Sequence, residues 1–317
     1  MWKRARDRTV ANHQTVGIGK LTCAWGHIRR PPYSPWRSTA DKEQSEAAGA
    51  ITLRLLPMFT SLELGYRGRL GNQLFQAAAV IGASERHRVG YSLPRWRVSR
   101  CMAGFPFPSL RRLQGWQYYA EPCFRYTEIP PPAEQGTTIS GYFQSWKYFD
   151  HCSEQVRSLL GPNTETLTRA AAKLPGFSQS ADTGAIHIRR GDYQSSNSYY
   201  VNLEETRYYE LAKGEASGSE TRWYLFSDDP LWCIRKYGFT EVQIVQPDPE
   251  PYIDLVAMSL CKCNIIANST FSWWAAMLNP HSDARVYCPE PSDWFGASAG
   301  HDTSDLLPPH WVRVSSS

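Results

Sequence analysis

The stretch AIHIRRGDY, residues 185–193, decides the fold. Ala185, Ile186 and Ile188 mark a buried strand, yet two arginines and an aspartate follow at once. Side chains alternate along a strand, so His187 and Arg189 share one face while Ile188 takes the other. Two guanidiniums at a strand end, Arg189 and Arg190, suit phosphate or carboxylate, which they grip in a forked geometry. Asp192 is placed to orient an arginine or to accept a hydroxyl proton. The plainer alternative for this cluster is a surface Arg–Asp pair worth ~0–1 kcal/mol.

The same grammar recurs twice downstream: a short apolar strand, a polar cluster, then a helix. In 222–236 the strand RWYLF enters SDD, and PLWCIRK opens a helix with Asp229 as N-cap and Pro230 at its first position. Asp228 is the freer carboxylate and is suited to accept hydrogen bonds from a base or ribose. In 263–278 CNIIA enters NST, and FSWWAAML follows as a helix closed by Asn279-Pro280. There the backbone and hydroxyls of Ser269 and Thr270 face an anion or simply cap the helix. The N-S-T triplet is also a glycosylation sequon, but the helix behind it must be largely buried, with Trp273 and Trp274 in the core. A further helix, PYIDLVAMSLCKC, precedes the last of these strands. Alternating strands and helices imply a parallel α/β sheet. Such sheets bind ligands beyond the carboxyl ends of their strands, where all three polar clusters fall.

The first half is organised differently. GRLGNQ (68–73) opens a helix whose Leu74, Phe75, Ala78 and Ile81 form an amphipathic face. Its glycines permit close backbone approach, but the stretch is neither a dinucleotide fingerprint nor a P-loop. TTISGYFQSWKYFD reads as a strand, a glycine turn and an aromatic segment, and SEQVRSLLG as a short helix. Residues 92–136 are rich in Pro and Trp, with GFPFPS and EIPPPAEQG as loops. KLPGFSQSADTG (173–184) has the composition of a linker. The expected division is therefore 58–180 and 181–317. Residues 1–57 show no sustained period and are expected to be a disordered or non-native leader, with the fold beginning at Met58.

Bulk properties exclude several classes. The chain has 317 residues, 42% hydrophobic and 20% charged, with a net charge of +4. Residues 1–57 alone carry ten Lys/Arg against four Asp/Glu, a net of +6, which leaves the remainder at −2. A near-neutral body argues against nucleic acid as a partner. Eight cysteines are scattered, and only Cys261 and Cys263 are close, which is not a zinc spacing. Reduced, structural thiols are expected, as in a cytoplasmic compartment. The most apolar N-terminal run, AAGAITLRLLPMF, contains Arg54 and is shorter than the roughly 20 residues a transmembrane helix needs. No H-E-x-x-H motif is present.

Taken together, GRLGNQLFQ (68–76), GYFQSWKYF (141–149), AIHIRRGDY (185–193), YLFSDD (224–229), IANSTFSWWAAML (266–278) and DTSDLLPPHWVRV (302–314) resemble the α-1,2-fucosyltransferases of glycosyltransferase family 11. The HxRRGD block also looks like the donor motif of α-1,6- and protein O-fucosyltransferases. The resemblance implies an α/β, GT-B-like architecture of two Rossmann-like domains with the donor site in the cleft. It implies GDP-L-fucose as co-substrate, inversion, no cofactor and no metal, and transfer to the 2-hydroxyl of a terminal β-galactoside. By the same resemblance Arg189 holds the β-phosphate, His187 and Asp192 help position the nucleotide, and Arg190 belongs to the donor site. Asp228 lies by the guanosine, and Ser269, Thr270 and Phe271 line the phosphate pocket. Asn72 projects from the first domain into the cleft, joining Arg189 and Asp192 as catalytic candidates. A cytoplasmic enzyme is implied, with peripheral contact to membrane-linked glycans at the inner face. Two other classes stay open: a metal-dependent transferase using Ser227-Asp228-Asp229 as its metal motif, and a non-catalytic sugar-nucleotide-binding module.

Overall fold

The computed structural model of the chain describes residues 57–105, 115–178, 181–191, 199–216, 218, 221–239 and 241–316. The expectation for the leader therefore lies outside the described residues except at Pro57, and Asp192 lies outside them too.

The second half builds one six-stranded sheet from β5 (Thr183–Ile188), β6 (Arg222–Ser227), β7 (Gln243–Ile244), β8 (Cys263–Ile265), β9 (Arg285–Pro289) and β10 (Val312–Val314). Its order is β10-β9-β8-β5-β6-β7, and every pairing is parallel. Counted from β5 as the first strand, this is the order 3-2-1-4-5-6 of a dinucleotide-binding Rossmann sheet. The chain runs outward through β6 and β7 and then returns to the other side of β5, so the topological switch lies between β5 and β8. Strand β5 pairs with β8 only from Gly184 to Ile186, whereas it stays paired with β6 as far as Ile188. His187 and the residues after it thus overhang the end of β8.

The first half builds a smaller parallel sheet, β2-β1-β4-β3, from β1 (Met58–Thr60), β2 (Gly90–Tyr91), β3 (Gln117–Ala120) and β4 (Thr137–Ser140). The sequence had assigned only β4 here. Strand β3 sits at an edge and is largely exposed, Tyr118 at 64%, so it lacks the apolar alternation that marks a buried strand. Both sheets present the carboxyl ends of their strands to the cleft between them: Glu121 follows β3, Tyr142 follows β4, and Arg189 follows β5.

Helix α1 (Leu70–His87) joins the two halves. An amphipathic face was expected, but every residue from Leu74 to Ser84 is buried. The reason is that α1 has cover on two sides, the first sheet and helix α7 (Thr270–Met277) of the second half. Its run of alanines leaves little bulk, so neighbours close in. Phe75 packs 4.5 Å from Trp273 and 5.2 Å from Trp274, and Phe149 stacks on Trp274 at 5.5 Å. Aromatic pairs at these distances add about 0.5–1.5 kcal/mol each beyond area burial. One apolar cluster therefore runs through both halves.

The remaining helices are α2 (Ser153–Leu160), α3 (Thr164–Ala172), α4 (Tyr208–Ala216), α5 (Pro230–Tyr237) and α6 (Pro251–Ser259). Helix α3 packs on α6, so the chain has left the first sheet before residue 173. The far face of the large sheet, carrying Ile186, Ile188 and Leu225, is covered by α4 and α5 through Tyr208, Tyr209 and Cys233. The seven described cysteines are all free thiols.

Candidate active site in the cleft between the sheets

The cleft encloses about 900 Å³ and is lined from both halves. Of the residues singled out in the sequence, Asn72, His187, Arg189, Asp228, Ser269, Thr270 and Phe271 all contribute to its wall. The Arg189 guanidinium stands 3.6 Å from Asp228 Oδ2, and Asp228 Oδ1 accepts the Arg190 backbone N–H at 3.0 Å. The His187 ring lies 5.6 Å from that of Phe271. His187 is 6% exposed, and its Nδ1 has no hydrogen-bond partner in the protein. Burial, reinforced by the Arg189 cation, holds its pKa down to about 3 against the opposing pull of Asp228. At neutral pH the ring is uncharged, so it offers one donor and one acceptor rather than a cation.

Arg190 is a correction. Its guanidinium does not line the cleft but points into the far side of the sheet. There Nε donates to Glu204 Oε2 at 2.7 Å, Nη1 pairs with Asp229, and the plane lies 3.6 Å over the Trp232 ring. Alternation explains this: Ile186, Ile188 and Arg190 share one parity, while His187 and Arg189 share the other. Asp229 is likewise engaged, since its Oδ1 accepts the Trp232 N–H as the N-cap of α5. The two carboxylates of the SDD cluster are thus answered by arginines and backbone N–H groups. Among the described residues no group of three or more His, Cys, Asp or Glu is placed to hold a metal ion.

Two helix N-termini converge on the same cleft. Helix α7 begins at Thr270 with Ser269 as its cap, the Ser269 Oγ accepting the Phe271 N–H. Helix α1 begins at Leu70 with no side chain capping it. They meet so closely that a Cβ on Gly71 would lie 2.5 Å from the Thr270 carbonyl carbon, which leaves only glycine there. Next to this seam Asn72 Oδ1 accepts from Thr270 Oγ1 at 2.9 Å and from Gln144 Nε2 at 3.1 Å. The first residues of both helices and Arg189 thus line one cleft, an arrangement that favours an anion there. Asn268 lies just behind, 2% exposed, and its Nδ2 holds the carbonyls of Val201 and Trp294. The sequon asparagine is thus spent inside the fold.

The opposite wall was not foreseen in the sequence. Arg67 donates to Glu63 at 2.9 Å and Ser140 at 3.1 Å, and lies 4.8 Å over the Tyr142 ring. Glu121 enters from the end of β3. Across the mouth Phe124 stacks on His301 at 4.6 Å and meets Phe295 edge-on at 5.2 Å, while Tyr199 Oη and His301 Nε2 are 2.8 Å apart. The missed signal is the strand QYYA running into Glu121, the same grammar as in the second half but carried by an exposed edge strand.

Residues 114–313 match the sequence pattern of glycosyl transferase family 11. The chain belongs to glycosyl transferase family 11. It is similar to the O-antigen biosynthesis glycosyltransferase WbnK of Escherichia coli, 32% identical over 57% of this chain and 62% of that one. It is also similar to the alpha-1,2-colitosyltransferase of E. coli, 30% identical over 55% of this chain and 61% of that one. The chain thus matches less than two thirds of the length of these two relatives. A galactoside 2-alpha-L-fucosyltransferase of Caenorhabditis elegans is 24% identical over 83% of this chain and 81% of its own.

Proposed function

We propose that this family 11 chain transfers L-fucose from GDP-β-L-fucose to the 2-hydroxyl of a terminal β-galactoside. The reaction is metal-independent and inverting, and it yields an α-1,2-fucoside. The observation that carries the proposal is the anion site at the switch point, where Arg189 and the N-termini of α1 and α7 face one cleft. Departure of GDP builds negative charge on the β-phosphate. Pre-organised donors aimed at that charge stabilise it without a metal, and removing one typically costs about 2.7–4 kcal/mol of barrier. Ser269, Thr270 and Phe271 line the phosphate end, Asp228 receives the nucleoside, and neutral His187 helps position the nucleotide. Asp192, beside the arginines in sequence, is assigned to positioning the nucleotide.

On this reading residues 181–317 hold the nucleotide and 58–180 present the acceptor, with the aromatic group around Phe124 and His301 stacking on the apolar face of a sugar ring. The relatives named for galactoside fucosylation and for O-antigen biosynthesis support a glycan acceptor. The reaction is placed in the cytoplasm, with peripheral contact to a membrane-linked glycan. A second donor, GDP-colitose, is suggested by the colitosyltransferase relative. Colitose lacks the 3-hydroxyl of fucose, so both donors present the same diphosphate to Arg189.

The test is GDP release from GDP-fucose, with and without lactose, in EDTA, for wild type and Arg189→Ala. Lactose-stimulated, EDTA-resistant release that falls about 10²–10³-fold in the variant is expected. Release from GDP-colitose in place of GDP-fucose would move the donor assignment. Tight GDP binding with no release to any galactoside would refute the transferase reading.

A further inference from the structure

Direct displacement at the fucosyl carbon needs a base for the acceptor hydroxyl, and Arg189 and His187 cannot serve. The first is a permanent cation. The second is a neutral ring whose pKa burial has lowered to about 3, leaving it a feeble proton acceptor. The opposite wall of the cleft holds a carboxylate built for the task. Glu121 is the first residue beyond β3, at the carboxyl edge of the first sheet. Its Oε2 accepts the backbone N–H groups of Tyr142 at 2.7 Å and Phe143 at 3.0 Å. Its Oε1 is buried and has no partner in the protein. One oxygen is thus anchored while the other is a buried acceptor with no donor.

The backbone around it is shaped to allow this. Gly141 has φ +157°, and a Cβ there would lie 2.4 Å from Glu121 Cβ and 2.5 Å from Oε2. Phe143 has φ +53°, an uncommon conformation for a bulky residue. The turn 141–143 therefore leaves ordinary backbone space where it delivers two N–H groups to one carboxylate oxygen. Gln144, one residue on, donates to Asn72 and leaves its own Oε1 without a partner in the cleft wall. Buried acceptors with no donor are what a sugar rich in hydroxyls supplies partners for.

We propose that Glu121 is the general base of the reaction, an assignment that rests on the fucosyltransferase reading above. The acceptor 2-hydroxyl gives its proton to the Glu121 carboxylate. Its oxygen lone pair forms the bond to C1 of fucose, and the C1–O bond to the β-phosphate breaks with its electron pair leaving on GDP. The proton then passes from Glu121 to water.

The groups around Glu121 account for its titration. Burial is the largest influence and pushes its pKa up to about 7. The Tyr142 and Phe143 N–H groups and the Arg67 cation oppose the rise, while Asp305 adds to it. Arg67 is itself shared with Glu63, and Asp305 has Lys147 at 3.7 Å, so neither charge acts undiluted. Tyr119 and Tyr148 are further titratable neighbours, with Cys123 beside both. A base must be ionised, so turnover rises with pH through about 7.

Glu121→Gln keeps an oxygen for the two backbone N–H groups but cannot take the proton. The experiment measures kcat for lactose fucosylation against pH, GDP affinity and melting temperature for wild type, Glu121→Gln and Glu121→Asp. Expected are a 10²–10⁴-fold fall in kcat for Glu121→Gln with GDP affinity unchanged, and loss of the rising limb near pH 7. Glu121→Asp retains the limb at a kcat at least tenfold lower, and it decides the matter where Glu121→Gln fails to bind GDP. Transfer by Glu121→Gln within tenfold of wild type, or a limb that persists in it, overturns the base assignment alone. Wild-type enzyme that transfers to no galactoside overturns the transferase reading and this assignment with it.

Discussion

Gly71→Ala tests whether the seam between the two helix N-termini organises the site. The added Cβ would lie 2.5 Å from the Thr270 carbonyl carbon, 2.5 Å from its Oγ1 and 2.6 Å from its carbonyl oxygen. Carbon atoms rest at about 3.5–4.0 Å, so α1 and α7 must part by roughly 1 Å. Two of the three contacts are backbone, which leaves no flexible side chain to yield. Overpacking of this kind costs about 1–3 kcal/mol, a fall of several degrees in melting temperature. The catalytic loss is larger. A 1 Å displacement separates Asn72 Oδ1 from Thr270 Oγ1, now 2.9 Å apart, and on the proposed reading misaims both helix ends at the leaving phosphate. Misplacement of that size costs about 10²-fold in turnover. Lactose-dependent GDP release, calorimetric GDP affinity and thermal melting are read on the same preparations. Gly214→Ala calibrates the scale, because a Cβ there meets nothing within 4 Å in the body of α4. It should raise stability by about 0.5–1 kcal/mol and leave turnover alone. Wild-type kcat/KM and melting in Gly71→Ala would refute the account of the seam.

Arg190→Ala should be a stability variant rather than a donor-site variant. It breaks the ion pair with Glu204, whose side chain is 6% exposed, at a cost of about 3–5 kcal/mol by urea unfolding, while GDP affinity of the folded fraction stays within a few-fold. A large loss of GDP affinity with unchanged stability would return Arg190 to the donor site. His187 should make the protein sensitive to acid. Its folded pKa lies below the unfolded value of 6.5, so its neutral form contributes stability above pH 6.5, and that contribution is lost as pH falls toward 3. Wild-type stability should therefore fall relative to His187→Gln by about 1.4 kcal/mol per pH unit below 6. Parallel curves for the two proteins would show that the imidazole does not titrate as described.

The second half was legible because burial on both faces leaves β5, β6 and β8 as short apolar runs. Each ends abruptly in polar residues, and two of them run straight into capped helices. Asp229 as a cap and Trp273 and Trp274 as core followed from local rules, and the structure has them so. The first half was harder. Strand β3 is an exposed edge, and β1 and β2 are three and two residues long, too short for any period to register. Helix α1 showed one apolar face, yet it is buried throughout Leu74–Ser84 because cover on its second side comes from residues two hundred positions away.

Pattern and composition by themselves determined the parallel α/β class and the polar strand ends. These depend on neighbours in sequence: side-chain alternation, helix capping and the length of apolar runs. Tertiary structure alone decided which of two adjacent arginines faces the cleft, that Gly71 meets Thr270, and that Glu121 is anchored by the turn after β4 with one oxygen left without a donor. Each of these is a contact between segments far apart in the chain. It is set by how the two sheets pack around α1, and no local period encodes that packing.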